Sequence, residues 1–119
     1  MNTRDGSYTT QQAIAVDGGR IIRIAPAGSI QASGAAQLID GKGKFVVPGF
    51  NDMHYHVLDF IDTVPNYWPL MVANGITGYR EMSGSPEHLE RGRQHHKELA
   101  DGRLLSPELL AQPGRLISL

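Results

Sequence analysis

The sequence predicts an α/β fold, in which a parallel β/α array opens at Pro48 behind a smaller β-rich segment. Three observations predict it. From Pro48 onward the periodic segments run strand, helix, strand, helix, strand, the beginning of a parallel sheet with helical crossovers. Upstream, Asp17-Gly18-Gly19 separates two short apolar runs, which is a hairpin signal. Between the two regions stands Pro48-Gly49, a sharp break that divides residues 1–47 from residues 48–119.

Taken in order, Ala13 to Val16 and Arg20 to Ala25 are the hairpin strands. Ile22 and Ile24 share one face and Ile21 and Arg23 the other, so the alternation is blurred but still strand-like. Pro26 to Ala36, rich in Gly, Ala and Ser, reads as a surface loop or linker. Gln37 to Asp40 is expected to add a strand, Gly41-Lys42-Gly43-Lys44 a turn, and Phe45 to Val47 a short buried strand. Phe50 to Val57 follows as the first strand of the array. Pro65 interrupts the chain, after which Tyr67, Leu70, Met71 and Asn74 fall at helical spacing and Gly75 supplies a stop, giving a helix from about Asn66. Tyr67, Trp68, Leu70 and Met71 should cover the outer side of the sheet. Ile76 to Met82 is a strand. Ser85-Pro86-Glu87 then combines an N-cap, a proline at the first helical position and an early acid, predicting a helix to about Ala100 that stops at Gly102. Leu109 to Ala111 is a third short strand, and no internal repeat is visible.

Composition excludes several classes. With 119 residues, 40% hydrophobic, 19% charged and a formal net charge of -1, the chain has neither the composition of disorder nor a basic field that would draw nucleic acid or anionic lipid. Without cysteine, imidazole and carboxylate are the strong metal ligands left. No apolar run approaches the roughly 20 residues a bilayer needs, and the N-terminus has no apolar leader core, so no membrane partner and a cytoplasmic location are expected.

The chemistry concentrates in GKFVVPGFNDMHYHVLD. Along a strand, residues i and i+2 project to the same side about 7 Å apart, so Asp52, His54 and His56 share a face and the two imidazoles can converge on one ion, with Tyr55 pointing away. The C-terminal end of a first strand is also where β/α barrels build their sites. A bare His-x-His is weak; strand, Pro48-Gly49, Asp52 and the strand-helix-strand sequel give it context. Asp52 can touch a metal or orient a histidine from the second shell, or it can cap the Pro48-Gly49 turn, and the structural role leads. His95-His96 are adjacent on a helix and point about 100° apart, so a solvated face is expected for them and for His88. Arg80 and Glu81 point to opposite faces, and one of them is expected to make an ordinary surface pair.

VVPGFNDMHYH resembles the signature of the amidohydrolase superfamily: an apolar pair, Pro-Gly, two or three residues, then Asp-x-His-x-His. MVANGITGYREMSG is similar to that family's second strand, with Asn74, Gly75, Thr77, Arg80 and Met82 in register and Gly78 and Glu81 departing from it. HHKELADGRLLSPELLAQPG resembles the helix and third strand of the branch related to imidazolonepropionase and prolidase-like carboxypeptidases, although Ser106-Pro107-Glu108 stands where that branch often has Gly-Pro-Arg. AIAVDGGRIIRIAP and LIDGKGKFVVPGF look like the small β-sandwich that such enzymes build from both chain ends.

The resemblance implies the start of a (β/α)8 TIM barrel, about three strands over residues 48–119, preceded by part of a β-sandwich over residues 1–47. It implies His54 and His56 as the first two ligands of a divalent metal, zinc above all, with one or two ions in a complete enzyme. Such an ion lowers the pKa of bound water from about 15.7 towards 7 for attack on an amide, cyclic amide or dipeptide-like C–N bond. The family's further ligands and its catalytic aspartate have no counterpart in this sequence, so no catalytic residue is assigned. A barrel needs roughly 250 residues, and about 70 follow Pro48. The chain is therefore expected to be an N-terminal part, inactive alone, of an enzyme for a small amide-type substrate that can form a homo-oligomer. The alternative is a non-catalytic remnant serving as a binding or assembly module.

Overall fold

A computed structural model of the chain describes residues 1–32, 34, 37–64 and 66–114. The chain divides into two compact units, Met1–Pro48 and Gly49–Leu119.

In the first unit, β1 (Gln12–Asp17) and β2 (Arg20–Pro26) form an antiparallel ribbon with Ile14 opposite Ile24 and Asp17 opposite Arg20. The turn works because Gly18 and Gly19 both have positive φ, 54° and 74°, the backbone a two-residue hairpin turn demands. Two of the anticipated strands do not form. Gln37 to Asp40 and Phe45 to Val47 lie outside any ladder, and Leu38, Ile39, Phe45 and Val46 are exposed rather than buried. Their apolar runs suit strands, but a strand exists only when a neighbouring strand takes up its N–H and C=O groups, and among the described residues no strand does so, the Val46 carbonyl instead accepting from the Met1 ammonium at 3.0 Å. The turn between them does form: the Lys44 N–H donates to the Gly41 carbonyl at 2.9 Å. Ser33, Ala35 and Ala36 of the anticipated loop lie outside the described residues.

The second unit contains β3 (Phe50–Tyr55), β4 (Ile76–Glu81) and β5 (Glu108–Ala111) in one parallel sheet of order β3-β4-β5. Helices α1 (Tyr67–Ala73) and α2 (Pro86–Ala100) lie in the two crossovers. β3 ends two residues earlier than its pattern suggests. Val57 enters a 3₁₀ turn, Val57–Asp59, because it and Leu58 are drawn into the core, where they are fully and almost fully buried. Pro65 lies outside the described residues, and Asn66 precedes α1 with φ of 62°. Of the four residues expected to cover the sheet, Trp68 and Met71, three apart on one helix face, are buried, whereas Leu70 is exposed.

α2 carries its own start and stop. The Ser85 hydroxyl accepts the His88 N–H at 3.2 Å, Pro86 occupies the first turn, and Gly102 ends the segment with φ of 67°. Val57, Leu58, Trp68, Met71, Tyr79 and Leu109 make the core, each large side chain contributing about 1.5–3 kcal/mol by leaving water. His95 departs from the solvated position foreseen for it. It is 4% exposed, with its ring 4.8 Å from that of Trp68 and 5.7 Å from that of Tyr79, while its neighbour His96 is exposed. Among the described residues no helix is long and apolar enough to cross a membrane.

Gly75 is the hinge between α1 and β4. Its φ is 82°, and its carbonyl accepts the Phe50 N–H at 2.8 Å, which starts the β3–β4 pairing. Gly75→Ala should lower stability by about 1–2 kcal/mol, the cost of a left-handed backbone for a residue with a Cβ. A urea midpoint equal to that of the native chain would refute this.

Candidate functional site

The site grows out of the C-terminal end of β3. His54 lies in the strand and His56 one residue beyond it, and their rings stand on the same side with centroids 5.4 Å apart and planes tilted by 57°. Both are exposed. Tyr55 between them turns inward. Its hydroxyl is hydrogen-bonded to that of Tyr67, and its ring lies 6.2 Å from Tyr79. Burial, reinforced by the Tyr67 hydroxyl, raises the Tyr55 pKa well above the usual phenol value. The half-buried Asp52 uses Oδ1 to accept the backbone N–H of His54 at 3.0 Å, so its bond braces the end of β3 rather than the Pro48-Gly49 turn.

His56 has partners in its own turn and in the loop after β4. Its Nδ1 lies 3.2 Å from the Ser83 hydroxyl and 3.6 Å from Asp59 Oδ2. Ser83 donates to the same Asp59 oxygen at 2.9 Å, and His88 Nε2 meets the other oxygen at 2.8 Å. His88 is thus a hydrogen-bond partner of Asp59, not the merely solvated residue that its place on a helix suggests. Arg91 secures the same turn from α2, donating to the Leu58 carbonyl at 3.1 Å and pairing with Asp62 at 2.8 Å.

Beneath these loops lies Glu81, at the end of β4. It is the member of the Arg80–Glu81 pair that makes no surface contact: it is fully buried, and its carboxylate accepts backbone N–H groups from Leu58 at 3.0 Å and from Met82 and Ser83 at 2.9 Å each. Arg80, the next residue back, is exposed. Glu81 therefore joins the turn carrying Asp59 to the loop carrying Ser83. Asp59, Glu81, Ser83 and His88 were not singled out as site residues from sequence. The available signal was Glu81 itself, a carboxylate two residues after Tyr79 and so on the same face of the strand.

The donor chemistry suits a divalent ion of borderline softness, because two imidazoles stand side by side and one is already hydrogen-bonded through its other ring nitrogen. Among the described residues, no group of three or more His, Asp or Glu is arranged to hold a metal ion.

No family model matches the chain, and no solved structure matches it. Curated relatives do. The chain is 31% identical over 77 residues to an adenine deaminase of Rhizobium johnstonii and 37% identical over 77 residues to one of Chelativorans sp.; each alignment covers 65% of this chain and 13% of the relative. It is 52% identical over 91 residues to a dihydroorotase of Staphylococcus aureus, covering 67% of this chain and 21% of the relative. These likenesses support the amidohydrolase superfamily. They do not single out the imidazolonepropionase and prolidase-like branch of that superfamily, and the chain spans only 13% to 21% of the length of these relatives.

Proposed function

We propose that this chain is the N-terminal part of a metal-dependent amidohydrolase acting on C–N bonds of amide, cyclic amide or dipeptide-like substrates. In this reading residues 48–119 are the first βα units of a (β/α)8 barrel and residues 1–47 part of a β-sandwich. The observation that carries it is the pair His54 and His56, side by side at the C-terminal end of the first strand of a parallel β/α array. The adenine deaminase and dihydroorotase likenesses support the same class.

His54 and His56 are the residues that would hold the ion. Once bound, a divalent metal such as zinc would supply Lewis acidity towards water and the scissile group. The chain's own contribution is placement: Asp52 braces the His54 backbone, while the Ser83 and Asp59 side chains hold the His56 ring. Since a catalytic zinc ordinarily takes three protein ligands, residues 1–119 by themselves should bind the ion weakly and turn over no amide.

Calorimetric titration with zinc alone tests the assignment. The native chain should bind, and His54→Ala combined with His56→Ala should weaken binding about tenfold or more. Equal affinity in the double variant would remove the metal site and favour a non-catalytic binding module.

A further inference from the structure

We propose that Ser83 and Asp59 are positioning residues for His56, locking its ring in the Nδ1–H tautomer and leaving Nε2 as the nitrogen free for a cation. The tautomer follows from the hydrogen bonds alone; only its consequence for a cation rests on the function proposed above.

A serine hydroxyl has one hydrogen, and an ionised carboxylate can only accept. Ser83 Oγ lies 2.9 Å from Asp59 Oδ2, so its hydrogen is committed there. What Oγ can offer His56 Nδ1, 3.2 Å away, is a lone pair, and Nδ1 must therefore carry the proton. Asp59 cannot act directly, since 3.6 Å to Nδ1 is too long for a hydrogen bond. The hydroxyl relays the carboxylate's preference.

The relay is held on every side. Asp59 Oδ1 takes the Nε2–H of His88 at 2.8 Å, and His88 is steadied by the Ser85 hydroxyl, 2.8 Å from its Nδ1. The Ser83 N–H is fixed on the buried Glu81, and its carbonyl accepts from the Gln112 side chain at 3.1 Å. The loop after β4 thus meets one imidazole nitrogen directly, beside Asp59 of the turn after β3, and the first turn of α2 fixes that Asp59. A ligating histidine whose other nitrogen donates to a fixed acceptor is held in orientation and tautomer, and loss of such a partner costs about 10- to 100-fold in metal affinity.

Long-range ¹⁵N–¹H correlation spectra of the metal-free chain at about pH 8.5, where free imidazole is neutral, read the tautomer directly. His56 should appear as Nδ1–H in the native chain. In Ser83→Ala it should revert to the Nε2–H form that free imidazole prefers, and Ser83→Thr should restore Nδ1–H. Asp59→Asn gives a second test without removing bulk: its amide can donate to Ser83, releasing the hydroxyl hydrogen towards Nδ1 and switching His56 to Nε2–H. Titrated with zinc alone, Ser83→Ala should bind about tenfold more weakly than the native chain or Ser83→Thr. An Nε2–H His56 in the native chain, or a tautomer unmoved by Ser83→Ala and Asp59→Asn, overturns the clamp. A switched tautomer with unchanged zinc affinity overturns its positioning role. If instead the tautomer switches while His54→Ala with His56→Ala leaves zinc binding intact, the relay stands and the metal assignment falls.

Discussion

Replacing Glu81 with leucine should destabilise the second unit by about 3–5 kcal/mol, enough to unfold much of the population of a marginally stable domain. Leucine nearly fills the volume, so the loss is electrostatic rather than steric. Three backbone N–H groups lose a carboxylate acceptor: the buried one of Leu58 and the half-buried one of Ser83 are left unpaired, while that of Met82 keeps the Tyr55 carbonyl at 2.7 Å. Hydrogen bonds to a charged group are each worth about 1.5–3 kcal/mol, and their loss is less than additive because one carboxylate serves all three. Glu81→Gln should cost less, about 1–2 kcal/mol, since one oxygen remains and the amide nitrogen opposes a single N–H. Trp68 is the sole tryptophan and lies in the core, so its fluorescence during urea unfolding reports the change. A Glu81→Leu midpoint equal to that of the native chain would show that the three bonds contribute nothing net.

Acid should weaken the fold through His95. Burial against Trp68 and Tyr79, helped by repulsion from His96 and opposed by Glu98, lowers its pKa from the ordinary 6.5 to about 4. The folded state thus holds His95 neutral at pH values where the unfolded chain has protonated it. Because the unfolded state binds more protons, stability rises with pH through this window. The contribution is fully present above about 6.5, declines as pH falls and is lost by about 4, with roughly 2 kcal/mol disappearing between pH 7 and pH 5. Other groups titrate in the same range, so the comparison is with His95→Phe, which keeps the aromatic packing and removes the proton site. Its urea midpoint should fall less steeply with acid than that of the native chain. Parallel curves would mean that His95 does not carry the dependence. The ring's Nε2 lies 2.9 Å from the Ser106 hydroxyl, whereas Nδ1 and the Tyr79 hydroxyl are buried without a hydrogen-bond partner among the described residues. That orphaned nitrogen makes a proton, which would bring a charge, especially costly.

Local signals read true wherever the cause was local. Ser85-Pro86-Glu87 and Gly102 bracket α2 because capping and backbone freedom act within one turn, and Gly18-Gly19 set the hairpin for the same reason. Phe45 to Val47 misled because apolar character says that a segment prefers burial, not that a partner strand exists. His95 misled in the opposite sense, since a polar residue on a helix is exposed by default, and alternation alone left open which of Arg80 and Glu81 would be buried. The burial of His95 and Glu81 was set by Trp68 and Tyr79 in one case and by the Leu58 turn in the other, up to 27 residues away.

For the site, the sequence by itself determined that His54 and His56 share a face and that Tyr55 between them turns away, because alternation along a strand is a property of the backbone. Tertiary structure alone decided what surrounds that pair. Ser83 reaches His56, and His88 reaches Asp59, only when parallel pairing of β3 with β4 brings the turn after β3, the loop after β4 and the start of α2 together, with Glu81 buried beneath them. Hydrogen bonds between groups 24 or more residues apart depend on that pairing and leave no period in the chain.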